Sequence, residues 1–153
     1  MSVFKGVGVA LITPFDNGGI NFDAFGRIID YVTEGGADAI CVCGTTGEPP
    51  TMSAEEKQSA IKFAIKKAAG RLPVIAGCGC NSTEETIKNA LEAEALGADA
   101  LLIVTPYYNK CTQAGIIAHY SSVAEKVNVP IIMYNVPSRT GVNILPETVL
   151  KLS

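Results

Sequence analysis

Gly36-Ala37-Asp38-Ala39-Ile40-Cys41-Val42-Cys43-Gly44-Thr45 opens on a glycine, continues as an apolar run and ends on a small polar residue. A close copy follows at 97–105, where Gly97-Ala98-Asp99-Ala100 again opens an apolar run. Short runs that are apolar at every position are typical of parallel strands covered on both faces. The two copies are offset by 61 residues (98 − 37), which is the length of about two strand–helix units.

Apolar runs and helical spacings alternate along the rest of the chain. A second echo, Leu72-Pro73-Val74-Ile75 and Val129-Pro130-Ile131-Ile132, is offset by 57 residues (130 − 73). Helices are predicted between the strands from apolar spacing, from Ser-x-x-Glu capping boxes at Ser53 and Ser82, and from glycines at helix ends. Strands are predicted at 6–12, 39–43, 73–77, 100–104 and 130–134, and helices at 22–34, 53–70, 82–97, 113–127 and from Pro146 onward.

The repeated order of strand and helix predicts an α/β protein with parallel strands and helical crossovers. Repeats two units long favour a (β/α)₈ TIM barrel, which needs eight strands and about 250 residues. The 153 residues hold only the first five β/α units. We therefore expect residues 1–153 to be the N-terminal part of a single barrel domain, either a piece of a longer protein or a half-barrel that closes by association. A doubly wound sheet is the alternative, although no Gly-x-Gly-x-x-Gly follows the first strand.

Composition excludes several classes of protein. Hydrophobic residues make up 48% of the chain and charged residues 18%, which predicts a folded core rather than disorder. The formal net charge of −3 gives no basic field for nucleic acid. No apolar run is long enough to span a membrane, and residues 1–5 lack the pattern of a secretory leader. Five cysteines in so apolar a chain indicate reduced thiols, so we expect a cytoplasmic protein.

The loops that follow the predicted strands carry the chemistry, because barrel sites lie where strands end. Gly44-Thr45-Thr46-Gly47 offers backbone N–H groups and hydroxyls that can hold a small carboxylate; a plain turn with capping threonines is the alternative. Arg139 can hold a carboxylate through two hydrogen bonds, or lie solvated in its loop. Tyr107, Tyr108 and Tyr134 follow strands, where a phenol can relay protons or simply pack.

Three stretches together resemble the dihydrodipicolinate synthase family: 44–48, 105–108 and 134–141. The likeness runs from Phe4 to the end of the chain and covers the N-terminal half of that family's barrel. It implies a lyase of lysine and diaminopimelate biosynthesis that condenses pyruvate with aspartate semialdehyde through a Schiff base, with no metal or organic cofactor, in a homo-oligomer that is commonly a dimer of dimers. N-acetylneuraminate lyase and sugar-acid aldolases are the alternative within the superfamily, and Arg139 counts against them.

The resemblance also implies roles for individual residues. Thr45 and Thr46 match the residues that hold the pyruvate carboxylate. Thr46, Tyr108 and Tyr134 match the proton relay of the family. Tyr108 is similar to the tyrosine inserted into a neighbouring subunit's site, and Tyr134 to the tyrosine beside the Schiff base. Arg139 matches the residue that binds the carboxylate of the aldehyde.

One family residue is missing from this pattern. The lysine that forms the Schiff base lies on the family's sixth strand, and five strands are predicted here. Lys151 is the only candidate nearby, and it falls in the final helix, whereas a Schiff base requires a lysine in a site that depresses its pKa. We expect the chain alone to lack synthase activity. A non-catalytic half-barrel that acts only by association is the alternative from another class of protein.

The resemblance extends to a site for the feedback inhibitor lysine. Asn81, Glu85 and Tyr107 match positions of the lysine-binding pocket in sensitive members of the family. Ala54 and Lys57 stand where those members have histidines. Because a cation at position 57 repels the ammonium group of lysine, we expect inhibition by lysine to be weak or absent.

The cysteines form two Cys-x-Cys pairs on neighbouring predicted strands, Cys41 with Cys43 and Cys78 with Cys80. This spacing within a strand fits a tetrahedral metal site poorly, and we expect no metal. Residues two apart in a strand share a face, so each pair is predicted to pack as small buried hydrophobes. Cys111 is expected in an exposed loop. His119, in an apolar helical stretch, is expected to pack rather than to act in catalysis.

Overall fold

A computed structural model describes residues 3–153. The strands are β1 (Gly8–Ala10), β2 (Phe15–Asp16), β3 (Gly19–Ile20), β4 (Ala39–Val42), β5 (Val74–Gly77), β6 (Ala100–Val104) and β7 (Ile131–Tyr134). The helices are α1 (Phe22–Glu34), α2 (Ala54–Ala68), α3 (Thr83–Leu96), α4 (Gln113–Ala124), α5 (Pro137–Thr140) and α6 (Pro146–Leu152). Within residues 3–153, no helix has the length and apolar character needed to cross a membrane.

Five strands pair in one parallel sheet in the order β1-β4-β5-β6-β7, so neighbours in sequence are neighbours in space. A helix follows each strand, which confirms the predicted five β/α units. β2 and β3 form a separate antiparallel hairpin. The topology puts all five carboxyl ends of the parallel strands at one edge of the sheet.

The two faces of the sheet are covered differently. The helix-covered face carries the larger core, where Ile40, Leu101 and Ile103 are fully buried beside residues of α1 to α4. The opposite face carries a small cluster of Ala39, Cys41, Ile75 and Ala100, against which Phe4, Leu102 and Ile132 pack. Most of the burial free energy therefore comes from the helix-covered face.

The repeated Gly-Ala-Asp-Ala motif is a hydrogen-bonded clasp between strand starts. The Asp38 N–H donates to the Val7 carbonyl at 2.8 Å, and its carboxylate accepts from the Val7 N–H at 2.7 Å. Asp99 repeats this on Val74, at 2.9 Å for its N–H and 2.8 Å for its carboxylate. The same device thus joins β1 to β4 and β5 to β6.

The second repeated motif, which contains Pro73 and Pro130, joins the starts of the other two strand pairs, β4 with β5 and β6 with β7. The Pro73 carbonyl accepts from the Ile40 N–H at 3.0 Å, and the Pro130 carbonyl accepts from the Leu101 N–H at 2.9 Å. Proline has no N–H, so this joint uses a backbone carbonyl alone. Aspartate and proline therefore alternate at the starts of β4, β5, β6 and β7, which is the structural meaning of the two-unit repeat.

Capping was predicted correctly at α2 and half correctly at α3. Glu56 donates its N–H to the Ser53 hydroxyl at 3.2 Å, and its carboxylate accepts the Ser53 N–H at 2.8 Å. At α3 the Ser82 hydroxyl accepts from the Glu85 N–H at 3.3 Å. The Glu85 carboxylate instead faces the Lys88 ammonium, 3.8 Å away, so no capping box is completed there.

Several boundaries differ from the predictions. The first strand spans three residues instead of seven, and α4 ends three residues before Val127. Val127 and Val129 still pack on the core from the connecting segment, so the apolar pattern outlasts the helix. The β2–β3 hairpin and α5 were not predicted, because elements of two and four residues are too short to show a period.

Candidate active site

The loops that follow β4, β5, β6 and β7 surround one cavity of about 240 Å³ at the carboxyl edge of the sheet. Thr45, Tyr107, Tyr134 and Arg139 line it, each from a different loop or strand end. Four of the predicted site residues are therefore brought together. The remaining wall is mostly apolar or glycine, which leaves these side chains as its main polar groups.

The loop after β4 forms one wall of this cavity. The backbone turns at Cys43, whose φ of 56° is left-handed, and then forms a short 3₁₀ turn at Thr45–Gly47. The Gly47 N–H donates to the Gly44 carbonyl at 2.8 Å. The first N–H groups of such a turn have no partner within it. The Thr45 hydroxyl and these N–H groups are donors suited to a small anion.

Glycines make this crowded corner possible. A Cβ on Gly77 would lie 2.1 Å from the Cys43 carbonyl oxygen, and one on Gly44 would lie 3.2 Å from the Cys41 sulfur. The ends of β4 and β5 therefore touch through backbone atoms. A larger residue at position 77 would push the loop away from the cavity.

Tyr134 ends β7 and is half-buried in the cavity wall. Its carbonyl accepts from the Thr105 N–H at 3.3 Å, which ties it to the end of β6. Below it, the buried Tyr120 donates its hydroxyl to the Ile103 carbonyl at 2.7 Å, and burial raises the pKa of Tyr120. Tyr120 thus ties α4 to β6, the strand that pairs with β7.

Arg139 reaches the cavity from the one-turn helix α5 (Pro137–Thr140), which is followed by Gly141 with a left-handed φ of 71°. Asn135 holds the loop that follows: its side chain donates to the Asn143 side chain at 2.8 Å and accepts from the Ile144 N–H at 3.1 Å. Within the described part of the chain, no acidic side chain forms an ion pair with Arg139. Its guanidinium therefore remains available for an anion.

Thr46 and Tyr108 stand apart from this group. Both are exposed and neither lines the cavity. Tyr108 is 85% exposed and has a left-handed φ of 74°, because it lies in a tight turn where the Asn109 N–H donates to the Tyr107 carbonyl at 3.0 Å. Of the three predicted relay residues, only Tyr134 lies in the cavity.

A second cavity of about 140 Å³ lies beside the first and is lined by Ala54, Lys57, Glu85 and Tyr107. Asn81, the third predicted effector residue, is exposed and does not line it. Three polar residues of the lining were not predicted from the sequence: Gln58, Asn89 and Glu92. They lie on the inner sides of α2 and α3, where only the three-dimensional packing of the helices brings them to the cavity.

The prediction that Cys41 and Cys43 share a face is wrong. Cys41 packs with the small cluster on the open face of the sheet, whereas Cys43 joins the core under the helices. The left-handed backbone at Cys43 breaks the alternation of the strand. Burial raises the pKa of Cys41 to about 11 and the pKa values of Cys43 and Cys78 to about 12.

Packing also determines the surroundings of the other cysteines and of His119. All five cysteines are free, and Cys111 is half-buried against the core rather than exposed as expected. Within residues 3–153, no group of three or more histidine, cysteine or acidic side chains is arranged to hold a metal. His119 is 3% exposed, with its Nδ1 3.0 Å from the Thr83 hydroxyl, and burial lowers its pKa. The packed role predicted for it is confirmed.

No lysine lines the larger cavity among the residues that the structure describes. Lys151 lies exposed in the last turn of α6, away from both cavities. That Lys151 is not a nucleophile stays a prediction.

Comparison with known proteins gives a consistent result. Residues 3–153 match the model of the dihydrodipicolinate synthetase family. The 4-hydroxy-tetrahydrodipicolinate synthases of Thermoanaerobacter sp. (strain X514) and Clostridium novyi (strain NT) are 56% and 53% identical, and the matches cover 100% and 99% of this chain but 52% and 51% of those proteins. The chain spans about half the length of the curated relatives it matches.

Solved structures agree with the sequence relatives. The crystal structure of dihydrodipicolinate synthase from Aquifex aeolicus superposes with a TM-score of 0.95 at 51% identity, covering 97% of this chain and 51% of that one. The dihydrodipicolinate synthase of Thermotoga maritima gives a TM-score of 0.97 at 46% identity, covering 99% and 51%. The five parallel strands therefore correspond to part of a TIM barrel.

Proposed function

Because the chain belongs to the dihydrodipicolinate synthetase family, we propose that it forms the pyruvate-binding rim of a 4-hydroxy-tetrahydrodipicolinate synthase. That lyase condenses pyruvate with aspartate semialdehyde through a Schiff base. The observation that carries the proposal is the convergence of Thr45, Tyr134 and Arg139 on one cavity. An anion-binding turn, a phenol and an unpaired guanidinium are the groups that two carboxylated substrates and a proton transfer require.

The turn after β4 binds the carboxylate of pyruvate. Thr45 provides a hydroxyl from the cavity wall, and Thr45 and Thr46 provide the N–H groups at the start of the turn. These donors suit a carboxylate better than a neutral group. The oxo carbon of pyruvate then points into the cavity. Tyr134, at the end of β7, is the residue we assign to donate and accept protons there.

Arg139 binds the carboxylate of aspartate semialdehyde at the mouth of the cavity. Its planar guanidinium can make two parallel hydrogen bonds to a carboxylate, and no ion pair within residues 3–153 occupies it. This residue favours a synthase over N-acetylneuraminate lyase or a sugar-acid aldolase. Thr46 and Tyr108 would complete the relay with Tyr134, and the 85% exposure of Tyr108 suits insertion into a second subunit of a homo-oligomer.

The amine that forms the Schiff base lies outside the described residues. We propose that residues 1–153 are the first five units of one barrel domain, and that a segment or polypeptide carrying the remaining units supplies the lysine. The absence of a lysine from the cavity lining within residues 3–153 supports this. Free cysteines fit a reducing compartment, which supports a cytoplasmic location.

The smaller cavity is the candidate site for lysine as an effector. Glu85 and Tyr107 line it and suit an amino acid, and Asn81 lies in the loop that leads from β5 to α3. Lys57 lines it too and places a positive charge there. We therefore propose that this cavity binds lysine weakly at most.

Titration of the ¹⁵N-labelled chain with pyruvate, followed by NMR, tests the binding proposal. We expect saturable shifts of the Thr45, Thr46 and Tyr134 amide resonances, with a dissociation constant in the millimolar range that is ordinary for so small a ligand. Pyruvamide, which lacks the carboxylate, is the control and should cause no saturable shift. Shifts that do not saturate, or that map outside the rim, would overturn the proposal.

Reductive trapping tests where the amine lies. Incubation of the chain with pyruvate and borohydride, followed by intact-mass measurement, should give no adduct, because no lysine among residues 3–153 lines the cavity. A stable adduct of one pyruvate per chain would show that a lysine within these 153 residues forms the Schiff base.

A further inference from the structure

A buried hydroxyl on the first strand's exit holds the turn that we assign to the pyruvate carboxylate. Thr13 follows β1 and is 4% exposed. Its hydroxyl donates to the Gly47 carbonyl at 2.8 Å, across 34 positions of sequence. Gly47 is the last residue of the 3₁₀ turn. The bond therefore ties the far end of that turn to a different strand.

The turn is bonded internally but needs an external anchor. The Gly47 N–H donates to the Gly44 carbonyl at 2.8 Å and the Glu48 N–H to the Thr45 carbonyl at 3.2 Å. These bonds fix the shape of the turn and not its position. The carbonyls at the end of a helical turn have no partner within it, and the Thr13 hydroxyl satisfies the one on Gly47.

The contact between β1 and the turn is also tight. A Cβ added to Gly47 would lie 3.1 Å from the Thr13 hydroxyl and 3.2 Å from the Leu11 carbonyl oxygen. The backbone ladder between β1 and β4 reaches the Leu11 N–H, which donates to the Cys41 carbonyl at 2.9 Å. Beyond that point, the Thr13 side chain continues the connection that the backbone no longer makes.

We propose that Thr13 is a positioning residue for carboxylate binding: it sets the place of the Thr45–Gly47 turn and hence the direction of the N–H donors at its start. This rests on the proposed function, since it takes the turn as the pyruvate site. Without the hydroxyl, the buried Gly47 carbonyl has to move to find another donor. The turn then moves away from β1, and its donors no longer face the cavity together.

Pyruvate titration of three single variants, followed by amide shifts, tests this. Thr13→Val keeps the shape of the side chain and removes the hydroxyl, so we expect the dissociation constant for pyruvate to rise about fivefold or more, within the range for one lost hydrogen bond. Thr13→Ser keeps the hydroxyl and should stay within about twofold of the wild type. Thr33→Val is the matched control, because it also removes a hydroxyl bonded to a carbonyl (Ile29, 2.6 Å) in a helix remote from the turn; its pyruvate affinity should be unchanged.

The chemical shift of the Gly47 carbonyl carbon reports the hydrogen bond from Thr13 directly. If Thr13 only stabilised the fold, this shift would not change together with the affinity for pyruvate. We expect this resonance to shift in Thr13→Val and to stay near the wild-type value in Thr13→Ser and Thr33→Val. If Thr13→Val does not fold, Thr13→Ala replaces it, with the same expected rise in dissociation constant. If the wild type binds pyruvate and a folded variant without the hydroxyl binds it equally well, the inference about Thr13 is refuted and the proposed function is not. If the wild type does not bind pyruvate, the proposed function is refuted as well.

Discussion

The two aspartate clasps are chemically identical and differ in burial, which makes them a controlled test of what such a bond contributes. Val74, whose N–H donates to Asp99, is 2% exposed, whereas Val7, the donor to Asp38, is 62% exposed. Asp99→Ala leaves a buried N–H without a partner. Asp38→Ala leaves one that water can reach.

The expected magnitudes follow from that difference. Loss of a hydrogen bond to a carboxylate that leaves a buried donor unpaired costs about 1–3 kcal/mol, so we expect Asp99→Ala to lower the free energy of unfolding by about 2 kcal/mol. For Asp38→Ala we expect about 0.5 kcal/mol, because water replaces the acceptor at the Val7 N–H. Asp99→Asn keeps one acceptor oxygen and should fall between the two.

Urea unfolding followed by far-ultraviolet circular dichroism measures these values, since the chain has no tryptophan. Comparable m-values across the variants would show that the midpoints report stability alone. Equal losses for Asp38→Ala and Asp99→Ala would refute the reasoning, because burial of the donor would then have no influence. A loss below about 0.5 kcal/mol for Asp99→Ala would refute it too.

Four other outcomes follow from the site and its surroundings. Burial lowers the pKa of His119 below its ordinary 6.5, so the imidazole binds a proton more readily in the unfolded chain. The free energy of unfolding should therefore fall as the pH is lowered from about 7.5 to about 5.5. Urea titrations at the two pH values measure this fall, and His119→Gln should remove the part that His119 causes. Ellman's reagent should modify Cys80 and Cys111 in the folded chain and all five thiols after unfolding. The reason is that burial raises the pKa values of Cys41, Cys43 and Cys78 to about 11 or 12. Modification of a third thiol before unfolding would contradict this. Arg139→Gln should leave pyruvate shifts within about twofold and abolish those caused by succinic semialdehyde, a carboxylated aldehyde, since two hydrogen bonds to that carboxylate are lost. Lys57→His should strengthen lysine binding measured by calorimetry at neutral pH, whereas equal or weaker binding would refute the repulsion assigned to that cation.

The sequence was sufficient for the parts of the molecule that depend on local pattern. Strand ends could be read where an apolar run meets a polar residue, and that placed Thr45, Tyr134 and Arg139 at one edge of the sheet. The parallel topology then brought them to the same cavity. The repeated Asp and Pro motifs were visible as echoes, although the bonds they make became clear only in three dimensions.

What escaped prediction depends on single residues or on distant contacts. The left-handed backbone at Cys43 reverses which face that side chain occupies, and a cysteine gives no sign of it in the sequence. Gln58, Asn89 and Glu92 reach the second cavity only through the packing of α2 on α3. The bond from Thr13 to Gly47 joins positions 34 residues apart, and no local pattern announces it.

Alternation of aspartate and proline at successive strand starts imposes a parity on this sheet. Each aspartate bonds to a strand whose own start carries no aspartate. Inserting or deleting one strand–helix unit would therefore set two like starts side by side, whereas a pair of units would not. A ring tiled in this way closes without a mismatch only for even numbers of strands. Gene duplication acting on such a chain would therefore be tolerated in steps of two.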